Sequence, residues 1–152
     1  MSLIYKKCMK YLMEYGDLLE QIFKISPSIR FAGMYDADSE KITDDFQPGV
    51  LQHLSRDEMK DCNRYDGKRW DTYKLFQSQL GEPNFSMVKY DKVIQTTFAL
   101  YGGKRLRVSM EPDSDYKSLI DRIQNMLMRI PVLGASLLAM EPVFDTMTTL
   151  PV

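Results

Sequence analysis

Asp36, Asp38 and Glu40 alternate along the chain as the first ligands of a calcium loop do. Such a loop also needs glycine at its sixth position and glutamate at its twelfth. Lys41 and Gln47 stand there instead, so the run reads as a solvated turn. Gly102-Gly103-Lys104-Arg105 is faintly like a phosphate loop. A P-loop lies between a strand and a helix, whereas this pair lies between two strand-like runs, and a hairpin turn followed by a basic edge fits better. Arg64, Lys68, Arg69 and Lys74 interleave with Tyr65, Trp70 and Tyr73. Phosphate attraction and base stacking use that pattern, but Asp61, Asp66 and Asp71 dilute its charge. His53 is the only histidine, and no nucleophile motif accompanies it. Cys8 and Cys62 form no CxxC pair, so a zinc site lacks its four ligands. We expect no catalytic residue, metal or cofactor, and read both thiols as small buried hydrophobes of a reducing compartment.

These residues are positioned by alternating helical and strand-like periods. From Ile4 to Phe23, apolar residues recur every three or four positions, which predicts an amphipathic helix ended by Ser26-Pro27-Ser28. Ile29–Asp36 reads as a strand, 36–40 as a turn and Lys41-Ile42-Thr43 as the start of a return strand. Ser55-Arg56-Asp57-Glu58 has the form of a capping box. Its helix runs towards Tyr65, where Asp66-Gly67 is a potential break, and continues from Lys68 to Leu80 before Gly81-Glu82-Pro83. Strands are expected at 84–90, 93–101 and 105–110, with Asp91-Lys92 and Gly102-Gly103 as tight turns. Asp113-Ser114-Asp115 caps a last helix with the face Leu119, Ile120, Ile123, Leu127 and Ile130, stopped by Pro131.

The 152 residues suit one domain, at 1–131, followed by an apolar tail at 132–152 that contains Leu137, Leu138 and Phe144. The formal net charge of −1 leaves no basic excess for nucleic acid or a membrane surface. The start is charged where a leader peptide needs an apolar run, and the longest apolar stretch, 130–140, is well short of the ~20 residues of a membrane span. The expected location is cytoplasmic. Disordered tails are usually polar, so this one is expected to dock on its own domain or on a partner chain.

The order α-β-β-α-β-β-β-α resembles the roadblock/LC7 fold, an α+β design with a five-stranded antiparallel sheet flanked by helices. PAS, GAF and profilin-like domains share a related layout. At the level of motifs, Ile29-Arg30-Phe31-Ala32-Gly33-Met34-Tyr35-Asp36, Gln47-Pro48-Gly49, Leu54-Ser55-Arg56-Asp57-Glu58-Met59 and Arg69-Trp70 resemble a family of small archaeal proteins from ammonia-oxidising lineages. That likeness implies a fold and no activity, and the long tail departs from it.

What the roadblock resemblance implies is a non-enzymatic regulatory or scaffold module of signalling type, acting by protein binding as a homodimer with a further protein partner. Trp70, Tyr73, Phe85, Val88, Leu137, Leu138 and Phe144 are the candidate interface residues. The long middle helix or the strand Asn84–Tyr90 would carry the dimer, although Lys89 is the kind of edge charge that guards against pairing. The alternative is a small-molecule sensor of PAS or GAF type, with a ligand pocket between sheet and helices. A filled interior favours the first reading; a void lined by convergent polar groups favours the second.

Overall fold

The computed structural model describes residues 2–129, with the side chains of 4–14 excepted. The tail, with Leu137, Leu138 and Phe144, lies outside the described residues. Helix α1 (Leu3–Ile25) precedes strands β1 (Ile29–Tyr35) and β2 (Lys41–Phe46). Helix α2 (Arg56–Lys74) and a short helical turn α3 (Gln77–Leu80) lead to β3 (Phe85–Lys89), β4 (Ile94–Ala99) and β5 (Arg105–Met110). Helix α4 (Tyr116–Met128) closes the order. The sheet order is β2-β1-β5-β4-β3, antiparallel throughout. This is the five-stranded α+β arrangement that the order of elements implied.

Strand register sorts the side chains onto two unlike faces, because successive residues point to opposite sides. Met34 pairs with Leu106, and Leu106 with Phe98. These residues, with Ala32, Ile94, Val108 and Met110, form one apolar face. Helices α1 and α4 cover it with Leu18, Leu19, Ile22, Leu119, Ile120 and Ile123, all buried. Each buried aliphatic side chain there contributes roughly 1.5–3 kcal/mol.

The register of the opposite face places Gly33 beside Arg107, Arg107 beside Thr97, and Tyr35 beside Arg105. This face is polar, and α2 lies over it. All seven residues of β1 are buried, as a strand covered on both sides requires. The capping box forms at the start of α2. Glu58 N–H donates to Ser55 Oγ at 3.1 Å, and Ser55 N–H donates to Glu58 Oε1 at 2.9 Å. Ser55→Ala is expected to cost about 1 kcal/mol of stability, read as a lower midpoint in urea.

Two expectations are corrected. Helix α2 runs unbroken through Asp66-Gly67, because both face the sheet and Gly67 makes room there. A Cβ on Gly67 would overlap Ser39 Oγ and stand 2.9 Å from Arg105 Nη2. The interruption falls at Leu75-Phe76 instead, before α3. Gly102-Gly103 is not a two-residue hairpin turn. Ala99 pairs with Arg105, so residues 100–104 form the loop, and both glycines adopt left-handed φ values (75° and 76°) that let the chain reverse there. Strand β2 extends to Phe46, whose ring packs 4.8 Å from that of Phe31.

Candidate functional site

The seam between α2 and the polar face is held by charge. Asp66, on α2, has its side chain 6% exposed and lies 3.8 Å from Arg105 Nε and 3.8 Å from Arg107 Nε. Arg69 reaches the same carboxylate at 3.9 Å, and Thr97 Oγ1 donates to it at 3.2 Å. One carboxylate therefore serves three guanidinium groups. Burial lowers the pKa of Arg105 from the ordinary arginine value, Asp66 and Asp71 oppose that shift, and Arg107 adds to it. Arg107 spends its Nη1 on Asn63 Oδ1 and its Nη2 on Gln95 Oε1, while its Nε has no hydrogen-bond partner. At the other end of the seam, Arg56 Nη1 donates to Asp44 Oδ2 at 2.8 Å and tethers the first turn of α2 to β2.

The phenol of Tyr35 belongs to the same seam. Burial raises its pKa above the ordinary tyrosine value; a side-chain hydrogen bond with Asn63 opposes the shift, and the charge of Asp44 adds to it. The fold thus favours the neutral phenol. The unfolded chain gives up that proton near pH 10, so this contribution is complete below that pH and is lost as pH rises through the folded value. Tyr35→Phe is expected to flatten the alkaline decline in stability, measured by urea unfolding between about pH 9 and about pH 11.

Between the first half of α2 and the sheet lies a cavity of about 470 Å³. Phe31, Phe46, Val50, Leu51, Met59 and Val93 give it apolar walls, and Arg30, Tyr35, Asn63, Gln95 and Arg107 also line it. Arg30 is committed elsewhere, to Glu111 at 2.6 Å and to the carbonyl of Leu51 at 2.6 Å. His53 and the half-buried free thiol of Cys62 line the same space. The buried apolar core thus lies under α1 and α4, and this cavity lies on the opposite face, under the first half of α2.

The second surface is the β3 end of the sheet. Tyr90 N–H donates to Val93 O, and Ala99 N–H donates to Asn84 O. The antiparallel ladder alternates, so Phe85, Met87 and Lys89 turn their N–H and C=O groups away from β4. Nine of the twelve exposed large apolar side chains among the described residues fall between Tyr65 and Tyr90. The opposite edge, β2, carries Lys41, Asp44 and Asp45 in its six residues. Charged edges resist pairing; apolar ones invite it.

Three of the candidate interface residues, Tyr73, Phe85 and Val88, are exposed at this end, at 40%, 43% and 45%. Trp70 is not exposed. It is 1% accessible, packs edge-on to Tyr73 with ring centroids 5.6 Å apart, and supports the surface from beneath. Sequence reading missed Met87, Tyr90, Phe76 and Leu80, which are exposed beside it in chain order. It also took Arg105 for a basic edge, whereas β5 is the central strand and Arg105 is buried. Asp36 Oδ1 accepts the backbone amides of Asp38 and Glu40 at 2.9 Å each, so this carboxylate shapes its turn. Arg64 and Lys68 both lie over the ring of Tyr65, at 5.4 and 5.5 Å. No described helix is long and apolar enough to cross a membrane.

The fold and the helix-covered polar face define the chain as roadblock/LC7-like in architecture. It is similar to the roadblock/LC7 domain of Streptomyces avermitilis, at 13% identity and a TM-score of 0.52, over 67% of this chain and 82% of that one. It is similar also to the gliding protein MglB of Thermus thermophilus, at 9% identity and a TM-score of 0.58, over 81% of this chain and 87% of that one. A further MglB structure, with a tetrameric arrangement, matches at 10% identity and a TM-score of 0.59 over 85% and 90%. No protein-family model and no curated protein matches the sequence. At these identities the likeness is one of fold.

Proposed function

We infer that the chain is a non-enzymatic protein-binding module that works as a homodimer and presents a composite surface to a further protein. The observation that carries this is the β3 edge, with outward-facing backbone groups and exposed apolar side chains on and beside the strand. Two such edges meeting about a two-fold axis satisfy each other's hydrogen bonds and bury that apolar surface. Lys89 is a single guard in a strand that otherwise reads Phe85-Ser86-Met87-Val88. The tetrameric arrangement of one MglB structure supports the reading, since self-association is compatible with this fold there.

A single-cysteine scan over 85–89, in a chain with Cys8 and Cys62 replaced by serine, tests the pairing. Antiparallel edges predict fast disulfide formation at one or two positions near the axis and little at the others. Uniformly slow cross-linking contradicts it.

The segment 132–152 is read as a second contact surface, against the domain or a neighbouring copy, with Leu137, Leu138 and Phe144 as anchors. A chain ending at Ile130 is expected to lose thermal stability, self-association or partner capture. Retention of all three removes this part of the reading.

One observation favours a second reading, that of a ligand-sensing module. It is the cavity under α2, whose walls combine apolar side chains with the side chains of Tyr35, Asn63, Gln95 and Arg107.

A further inference from the structure

We propose that the cavity beneath the first half of α2 binds a small organic monoanion: an apolar body bearing one carboxylate, with Arg107 as the anchor of that carboxylate. This rests on the ligand-sensing reading and names its ligand class; it does not depend on self-association. The volume of about 470 Å³ is that of a site for a small molecule. Its walls include Phe31, Phe46 and Met59, which suit a hydrocarbon or aromatic body.

Charge selects the other end of the ligand. Arg30, Lys92 and Arg107 line the cavity, and Asp91 is the one carboxylate that does. Arg30 is neutralised by Glu111 at 2.6 Å. Arg107 has no comparable partner. It is 9% exposed, its two Nη atoms hold the neutral amides of Asn63 and Gln95, and its Nε is without a hydrogen bond. The nearest carboxylate, that of Asp66, stands 3.8 Å away and is shared with Arg105 and Arg69. A guanidinium in a low-dielectric seam with only neutral hydrogen-bond partners leaves a positive potential in the adjoining space. A carboxylate matches it through the planar, fork-like geometry that guanidinium groups favour. Arg107 shares its only nearby carboxylate with two other guanidinium groups, so positive charge is in excess here, and burying a dianion costs more than burying a monoanion, which favours a carboxylate over a phosphate dianion. Either amide, that of Asn63 or Gln95, can yield an Nη donor to the ligand by a side-chain rotation.

The test uses the full chain with octanoate, octan-1-ol and octyl phosphate as probes, followed by calorimetric titration and by the alkylation rate of Cys62, located by peptide mapping. Octanoate is expected to bind at least tenfold tighter than the other two and to slow alkylation of Cys62 at least fivefold. Met59→Trp, which fills the cavity from α2, is expected to abolish octanoate binding while the circular dichroism spectrum stays unchanged. If that variant does not fold, protection of Cys62 in the unaltered chain decides the matter alone. Equal binding of octanoate and octan-1-ol overturns the proposal, as does a preference for octyl phosphate. So does unchanged octanoate binding in a folded Met59→Trp chain. A monomeric chain that binds octanoate leaves this proposal standing and removes only the dimer reading.

Discussion

Replacing Asp66 by alanine is expected to lower the unfolding free energy by about 3–5 kcal/mol, the usual cost of removing one partner from a buried charge cluster. The side chains of Asp66, Arg105 and Arg107 are 6%, 5% and 11% exposed, so water does little to replace what is lost. Two buried guanidinium groups, neighbours on the same face of β5, would then lack their shared carboxylate, and Thr97 would lose its acceptor. The melting temperature should fall on the order of 10 °C for a chain of this size. Asp66→Asn keeps an acceptor for Thr97 but not the charge, and its loss should be intermediate. Asp61→Ala, which removes an exposed ion pair with Arg64, is the control and should change stability by less than about 1 kcal/mol. Urea unfolding of the three variants measures the order directly.

Met87→Pro should uncouple self-association from folding. Met87 is at the middle of β3, and its N–H points away from β4, so the ladder within the chain keeps its hydrogen bonds. A proline there removes a donor from the proposed intermolecular ladder and places its ring against the partner strand. Two-fold symmetry inflicts the change twice. The dimer dissociation constant is expected to rise on the order of 100-fold, equivalent to about 2.8 kcal/mol, with the far-ultraviolet spectrum unchanged. Thr43→Pro on the opposite edge is predicted to leave self-association as it was, whatever it does to stability. Concentration-dependent size-exclusion chromatography with light scattering distinguishes the two edges.

Much of the fold was legible because it rests on periodicity. Tyr15, Leu18, Leu19 and Ile22 recur at helical spacing, and Leu106, Val108 and Met110 alternate as one face of a strand must. Ser55 and Glu58 announced the start of α2 through a local, sequence-contiguous cap. The seam was not legible for a physical reason. Arg105, Arg107 and Ser109 alternate with the apolar residues of β5 as a solvated face would. Nothing in a single strand separates an arginine facing water from one facing a carboxylate on a distant helix. Asp66-Gly67 looked like a helix break because both residues are poor helix formers; their role is set by Arg105 and Ser39, far along the chain. Trp70 was placed at an interface on the strength of its size, and burial between α2 and the sheet region claimed it instead. The apolar content of β3 was visible, but its place at the end of the sheet depends on strand order, which local pattern does not determine.

Sedimentation velocity of the unmodified full chain, from about 1 to about 50 µM, tests the central claim most directly, because an interface of ordinary size holds at such concentrations. The account predicts a species of twice the 17.7 kDa chain mass at the upper end, dissociating on dilution and lost in Met87→Pro. A single 17.7 kDa species across the whole range would contradict it.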